Sequence, residues 1–228
     1  MPVLPNGIPM PRTPMSPQPT APIGLGAAFL RAILYILLIA ALLQGIYFEA
    51  LYLPARRSFA ELGFTELCQS AILAISAVLL CTPPARRELP TVSLLMFALL
   101  VASLIREQDY YLDKYVFDGA WQLLVTLVLL PCLSFVLWQR QRFTTEFKTY
   151  SNSFSFGLFA AGFLVTYVFS RLYGRSEMWM AILEDHYQRT FKEAAEEITE
   201  LLGYSLILIA VIELVLLTRH WQQARPKA

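Results

Sequence analysis

Six apolar runs, at 25–45, 64–80, 90–105, 119–138, 154–170 and 198–218, alternate with short polar or proline-bearing segments. A hydrocarbon core about 30 Å thick takes roughly 20 mostly apolar helical residues, so the pattern predicts an all-α polytopic membrane protein, a bundle of six transmembrane helices. Prolines mark the boundaries. Pro54 follows the first run, and Pro83-Pro84 is expected to close the second, because proline has no backbone donor to continue a helix. Pro90 opens the third run, where a missing donor is harmless, and Pro131 predicts a bend inside the fourth. At a rise of 1.5 Å per residue, Trp121 and Trp138 lie about 26 Å apart, which suits two interfacial belts.

Outside the runs the pattern changes. Eight of the fourteen prolines fall within residues 1–22, where Arg12 is the only charged side chain. Such a stretch buries too little apolar surface to offset its ordering entropy, so residues 1–24 are expected to form a disordered tail. The expected transmembrane domain is 25–218, and 219–228 is a basic cytoplasmic tail. The leader lacks the basic start and cleavage site of a signal peptide, and no internal repeat points to an inverted-repeat transporter. Between Ser176 and Lys192, Trp179, Ile182, Leu183, Tyr187 and Phe191 recur at helical spacing. With Ser176 as N-cap and Glu177 in the first turn, this predicts an amphipathic helix that lies in the interface or runs directly into the last span.

Composition then narrows the class. Hydrophobic residues make up 57% of the 228 and charged residues 15%. A soluble domain carries about 25% charged residues, so the chain lacks a water-facing surface, and it is far too apolar for disorder throughout. The net charge of +1 gives no footprint for nucleic acid; the expected partner is the lipid bilayer, with room for a membrane-protein partner.

Charge is informative once it is sorted by side. Six crossings put both termini on one side, which holds nine basic residues against eight on the other. This bias is small, but the short loop with Arg86 and Arg87 and the tail after Arg219 favour cytoplasmic termini, most simply in a bacterial cytoplasmic membrane. Acids divide sharply: only Glu88 and Glu146 lie on the terminal side, Glu213 sits within the last run, and the other fourteen lie opposite. Each run brings polar groups to this acidic side, including Gln44 and Glu49, Glu66 with Gln69 and Ser70, Arg106-Glu107-Gln108-Asp109, Asp118 with Gln122, Arg171, and Glu193, Glu196, Glu197 and Glu200. Ionisable groups near membrane depth turn toward a partner or water. Glu66, Arg106, Glu107, Asp109, Arg171, Glu197 and Glu200 are therefore expected to line a polar rim able to bind a cation or a polar head group, with Asp113 and Asp118 further from it. A solvated ring of helix-end charges is the plainer alternative. Arg31 in the first run and Glu213 in the last lie at similar depth and are expected to form a structural ion pair.

Motifs of known chemistry are missing. Cys68, Cys81 and Cys132 show no metal-ligand spacing, His186 and His220 are isolated, and no GxSxG, HExxH, P-loop or GxGxxG occurs; no metal and no cofactor is expected. The small-residue spacings Gly157-x-x-x-Ala161 and Ala98-x-x-x-Ala102 are expected to serve helix packing. Three roles fit: a non-catalytic accessory or assembly protein, a small transporter or ion-handling protein, and a membrane enzyme acting on lipid-linked or head-group substrates. In the last, Glu107 or Glu197 would act as base or metal ligand, and Arg106 or Arg171 would bind phosphate.

Overall fold

The computed structural model describes residues 24–52 and 63–224. The expected tail, apart from its last residue, and the expected stop at Pro54 lie outside them. The described chain is helical, without strands: α1 (Leu25–Tyr52), α2 (Phe64–Leu80), α3 (Pro83–Glu88), α4 (Pro90–Arg106), α5 (Asp109–Tyr115), α6 (Ala120–Trp138), α7 (Arg140–Ser151), α8 (Phe154–Leu164), a π turn (Val165–Phe169), α9 (Ser170–Tyr173), α10 (Ser176–Leu183), a 3₁₀ turn (Glu184–His186) and α11 (Arg189–Ala224). Four helices among the described residues are long and apolar enough to cross a membrane: α1, α6, the continuous run Phe154–Tyr173, and α11. The pair α4–α5, bent by 60°, makes a fifth if it counts as one span, and α2 is a shorter apolar helix.

α11 is the central post. Of its most apolar stretch 72% is buried, against 0% for α1, so α11 holds the core while α1 lies on the outside. α8, the π turn and α9 pack along one side of α11 and α2 along another; α4 packs on α2 and carries α6. Leu73, Leu100, Leu201, Ile207 and Leu214 fill the space between them. Lipid offers no hydrophobic drive for helix pairing, so close association depends on backbone approach and hydrogen bonds. Gly162 and Gly203 provide the approach. A methyl on Gly203 would overlap the Thr166 hydroxyl, and one on Gly162 would come within 2.7 Å of the Gly203 carbonyl. Ser155 Oγ adds a 2.7 Å hydrogen bond to the Ala210 carbonyl. The small-residue pair expected here, Gly157 and Ala161, faces outward instead, since the contact follows Ser155, Gly162, Thr166 and Ser170. Ala98 and Ala102 are buried as expected.

Helix starts are capped from a distance. Gly63 gives α2 no side-chain cap, and Glu49 of α1 accepts from Thr65 N at 3.0 Å and Thr65 Oγ1 at 2.5 Å. Glu146 of α7 does the same for α4, accepting from Thr91 N at 2.8 Å, Thr91 Oγ1 at 2.6 Å and Val92 N at 3.2 Å. Each carboxylate satisfies orphan donors at the positive end of a helix dipole. Pro83 and Pro84 do not merely end α2, which stops at Leu80; they occupy the first turn of α3, where proline is pre-shaped for a helix start.

The run 176–192 is divided rather than continuous. α10 ends where Glu184 adopts φ +47°, a left-handed conformation that breaks the helical path, and α11 starts afresh at Arg189. Arg175, without a side-chain cap bond, takes the N-cap place expected of Ser176. Thr218 is no terminus either, because α11 continues through Arg219 and His220 to Ala224.

Candidate functional site

On α11, residues 197, 200 and 204 fall on one face by their spacing of three and four. Glu200 is 2% exposed and is the hub. Arg106, at the end of α4, places Nη2 3.1 Å from Glu200 Oε2, 2.9 Å from Glu107 Oε1 and 3.2 Å from Tyr204 Oη. Tyr204 Oη in turn donates to Glu107 Oε1 at 2.8 Å. From α9, Arg171 Nη2 pairs with Glu200 Oε1, while its Nη1 lies 2.5 Å from Glu196 Oε1. Lys192 Nζ closes the outer edge, 2.8 Å from Glu196 Oε2. Two arginines from two helices thus divide the two oxygens of one buried carboxylate. The Arg171 side chain remains 45% exposed, so the network opens to solvent on that flank.

α2 enters through Gln69, which is fully buried. Its Nε2 donates to the Glu197 carbonyl at 3.0 Å and to Glu197 Oε2 at 2.9 Å, while its Oε1 has no hydrogen-bond partner among the described residues. Glu66, one turn earlier, lies close enough to act electrostatically on Glu197. Gln108 Nε2 reaches Ser70 Oγ at 2.9 Å, and Ser103 hydrogen-bonds Tyr167 within the same end of the bundle.

Six of the seven expected rim residues are therefore neighbours: Glu66, Arg106, Glu107, Arg171, Glu197 and Glu200. Asp109 is the exception. It is exposed at the start of α5 and accepts from Tyr110 N at 2.6 Å, because the 60° bend after α4 carries it away. Asp113 accepts from Gly119 N at 3.0 Å, which helps hold the φ +86° turn before α6. Asp118 and Gln122 are exposed, so the α6 end does not join the cluster. Gln44 also points outward, and α1 reaches α2 through Glu49.

Tyr204 and Gln69 carry more of the geometry than their sequence positions announce. Tyr204 was accessible through its spacing from Glu197 and Glu200. The orphaned Gln69 oxygen has no sequence signal.

At the opposite end, Arg31 Nη1 donates to Glu213 Oε2 at 2.8 Å, and Tyr35 Oη donates to Glu213 Oε1. Arg31 and Tyr35 stand one turn apart on α1, so one face of that helix satisfies both carboxylate oxygens. Arg142 Nε likewise meets Glu146 Oε1 at 2.8 Å. Nearby, burial pushes the Tyr150 phenol up to about 12, which keeps it neutral at physiological pH.

No group of three or more His, Cys, Asp or Glu side chains among the described residues could hold a metal ion. Comparison with protein families, curated proteins and solved structures finds no match for this chain.

Proposed function

We propose that this chain crosses the membrane six times, with both termini on the cytoplasmic side of a bacterial cytoplasmic membrane, and acts as a non-catalytic accessory or assembly protein. α2 and the α4–α5 pair supply the two crossings beyond the four long helices, a reading supported by α2 packing on α1, α4 and α11 and by α4 packing on α2 and α6. α10 serves as an interfacial anchor, with Trp179 Nε1 tied to the Tyr173 carbonyl at 2.8 Å.

The observation that carries the non-catalytic reading is the double engagement of Glu200 by Arg106 and Arg171, with Glu107 held by Arg106 and Tyr204. A phosphate-binding arginine needs free donors and a general base needs a free oxygen near its substrate. Here these groups answer one another, which favours a helix clamp over a catalyst. Native pull-down with lipid mass spectrometry tests the reading: a membrane protein should co-purify in stoichiometric amount, and its retention should survive Glu107→Gln. Turnover of a head-group substrate by the pure protein, abolished by Glu107→Gln in a folded variant, would overturn it.

Ion handling is the second reading. It is favoured by one feature, the unpartnered Gln69 oxygen beside Glu197.

A further inference from the structure

Glu197 and Gln69 stand apart from the rest of the network. Among the described residues every arginine or lysine in the ion pairs of this end goes elsewhere: Arg106 to Glu107 and Glu200, Arg171 to Glu196 and Glu200, Lys192 to Glu196, and Arg189 to Glu193. Among the described residues none pairs with Glu197, whose carboxylate receives one hydrogen bond, from Gln69 Nε2 at 2.9 Å. Its close charged neighbours repel it: Glu200, Glu107 and Glu66. Gln69 has the matching deficit. The amide is fully buried, its nitrogen is committed to Glu197, and its oxygen accepts nothing from the described residues. A buried acceptor without a donor is costly, and the half-buried Glu197 carboxylate has lost part of its hydration without gaining a counter-charge. One positive species lodged against both oxygens would remove both deficits.

We infer that Glu197 and Gln69 form a binding site for a single hard monovalent cation, sodium or a proton. The donors are all oxygens, a carboxylate and an amide carbonyl, which suit a hard ion rather than a soft metal. One uncompensated carboxylate balances one charge, and no trio of metal-binding side chains converges for a divalent ion among the described residues. Around Glu197 stand Glu66 and Gln69 on α2, Glu107 at the end of α4 and Glu200 on its own helix, with Arg106 committed to Glu107 and Glu200, and Arg171 to Glu196 and Glu200. The site goes beyond the accessory reading and does not depend on it, since an assembly protein can carry a structural ion.

The test uses the full chain in detergent, at ionic strength held constant with N-methylglucamine chloride. At pH 8.5, sodium chloride should raise Tm by about 5 °C at a hundredfold excess over its dissociation constant, and further with the logarithm of its concentration, and equilibrium dialysis with radioactive sodium should saturate at one ion per chain. If the occupant is a proton, sodium has no effect, and in sodium-free buffer Tm rises as pH falls from 8.5 to 6. Glu197→Gln supplies its own neutral group and should abolish either response while keeping Tm near the occupied wild-type value. Gln69→Leu, which removes only the amide, should weaken sodium or proton binding at least tenfold; it serves as the second variant if Glu197→Gln does not fold. Indifference of the wild type to both sodium and pH overturns the inference, as does a response that Glu197→Gln leaves unchanged. Neither result bears on whether a membrane protein co-purifies.

Discussion

The two ends of the bundle handle buried charge in different ways. At the end where α1 begins and α11 finishes, each buried carboxylate among the described residues has a small, closed set of partners: Glu213 serves Arg31 and Tyr35, and Glu146 serves Arg142 and the first turn of α4. At the opposite end the carboxylates share cations, with Glu200 on two arginines and Glu196 on Arg171 and Lys192. The first arrangement pins pairs of elements, α1 to α11 and α7 to α4. The second joins α4, α9 and α11 through one residue and adds α2 through Gln69. A shared hub ties more helices together, and it also leaves one carboxylate, Glu197, without a cation among the described residues.

The contrast predicts that the hub is the most sensitive position. Glu200→Ala strips both arginines of a shared acceptor, and breaking a buried pair from one side costs about 3–5 kcal/mol. Unfolding in mixed micelles should show a loss of that size, larger than for any single change at the other end. Equal losses at both ends would mean that the shared network adds nothing beyond its separate pairs.

The Arg31–Glu213 pair comes next. Arg31→Leu leaves Glu213 with Tyr35 alone and should cost about 3 kcal/mol, whereas Arg31→Leu combined with Glu213→Leu should recover most of it, because an apolar pair often replaces a buried ion pair without loss. The charge-swapped double variant should likewise fold better than either single reversal. Additive losses would show that the two residues act independently.

Removing the remote cap on α4 is milder. Glu146→Ala unsatisfies Thr91 N and Val92 N, which proline at the preceding position cannot compensate, and should lower stability by about 1–2 kcal/mol. Hydrogen exchange should rise first at residues 91–93, with the acidic end unaffected.

Much of this contrast is legible in the chain, and the rest fails for definite reasons. Hydrophobic run length finds the helices because burial in lipid demands it. The depth argument places Arg31 beside Glu213 because it needs only the number of residues from each helix end. The rim residues could be collected by side but not by direction: Asp109 looks equivalent to Glu107 until the bend after Arg106 turns it outward. Nothing in residues 176–192 announces the φ +47° at Glu184, a conformation that tertiary context imposes on an ordinary residue. The contact face on α8 was missed by a rotation, since Gly157 attracts notice as a glycine while Ser155 and Gly162 make the contact.

The smallest effect expected is at the outer margin of the acidic end, and it checks the meaning of the others. Arg189 Nε lies 2.6 Å from Glu193 Oε1 one turn away, but the arginine side chain is 83% exposed. Both partners are hydrated when apart, and holding two long side chains together costs rotamer entropy, so such pairs contribute little. Arg189→Ala should shift Tm by no more than about 1 °C, though its distance is shorter than that between Arg106 and Glu200. If it destabilises as much as Glu146→Ala, burial is not what separates the hub from its fringe, and the difference between the two ends must be sought in charge number alone.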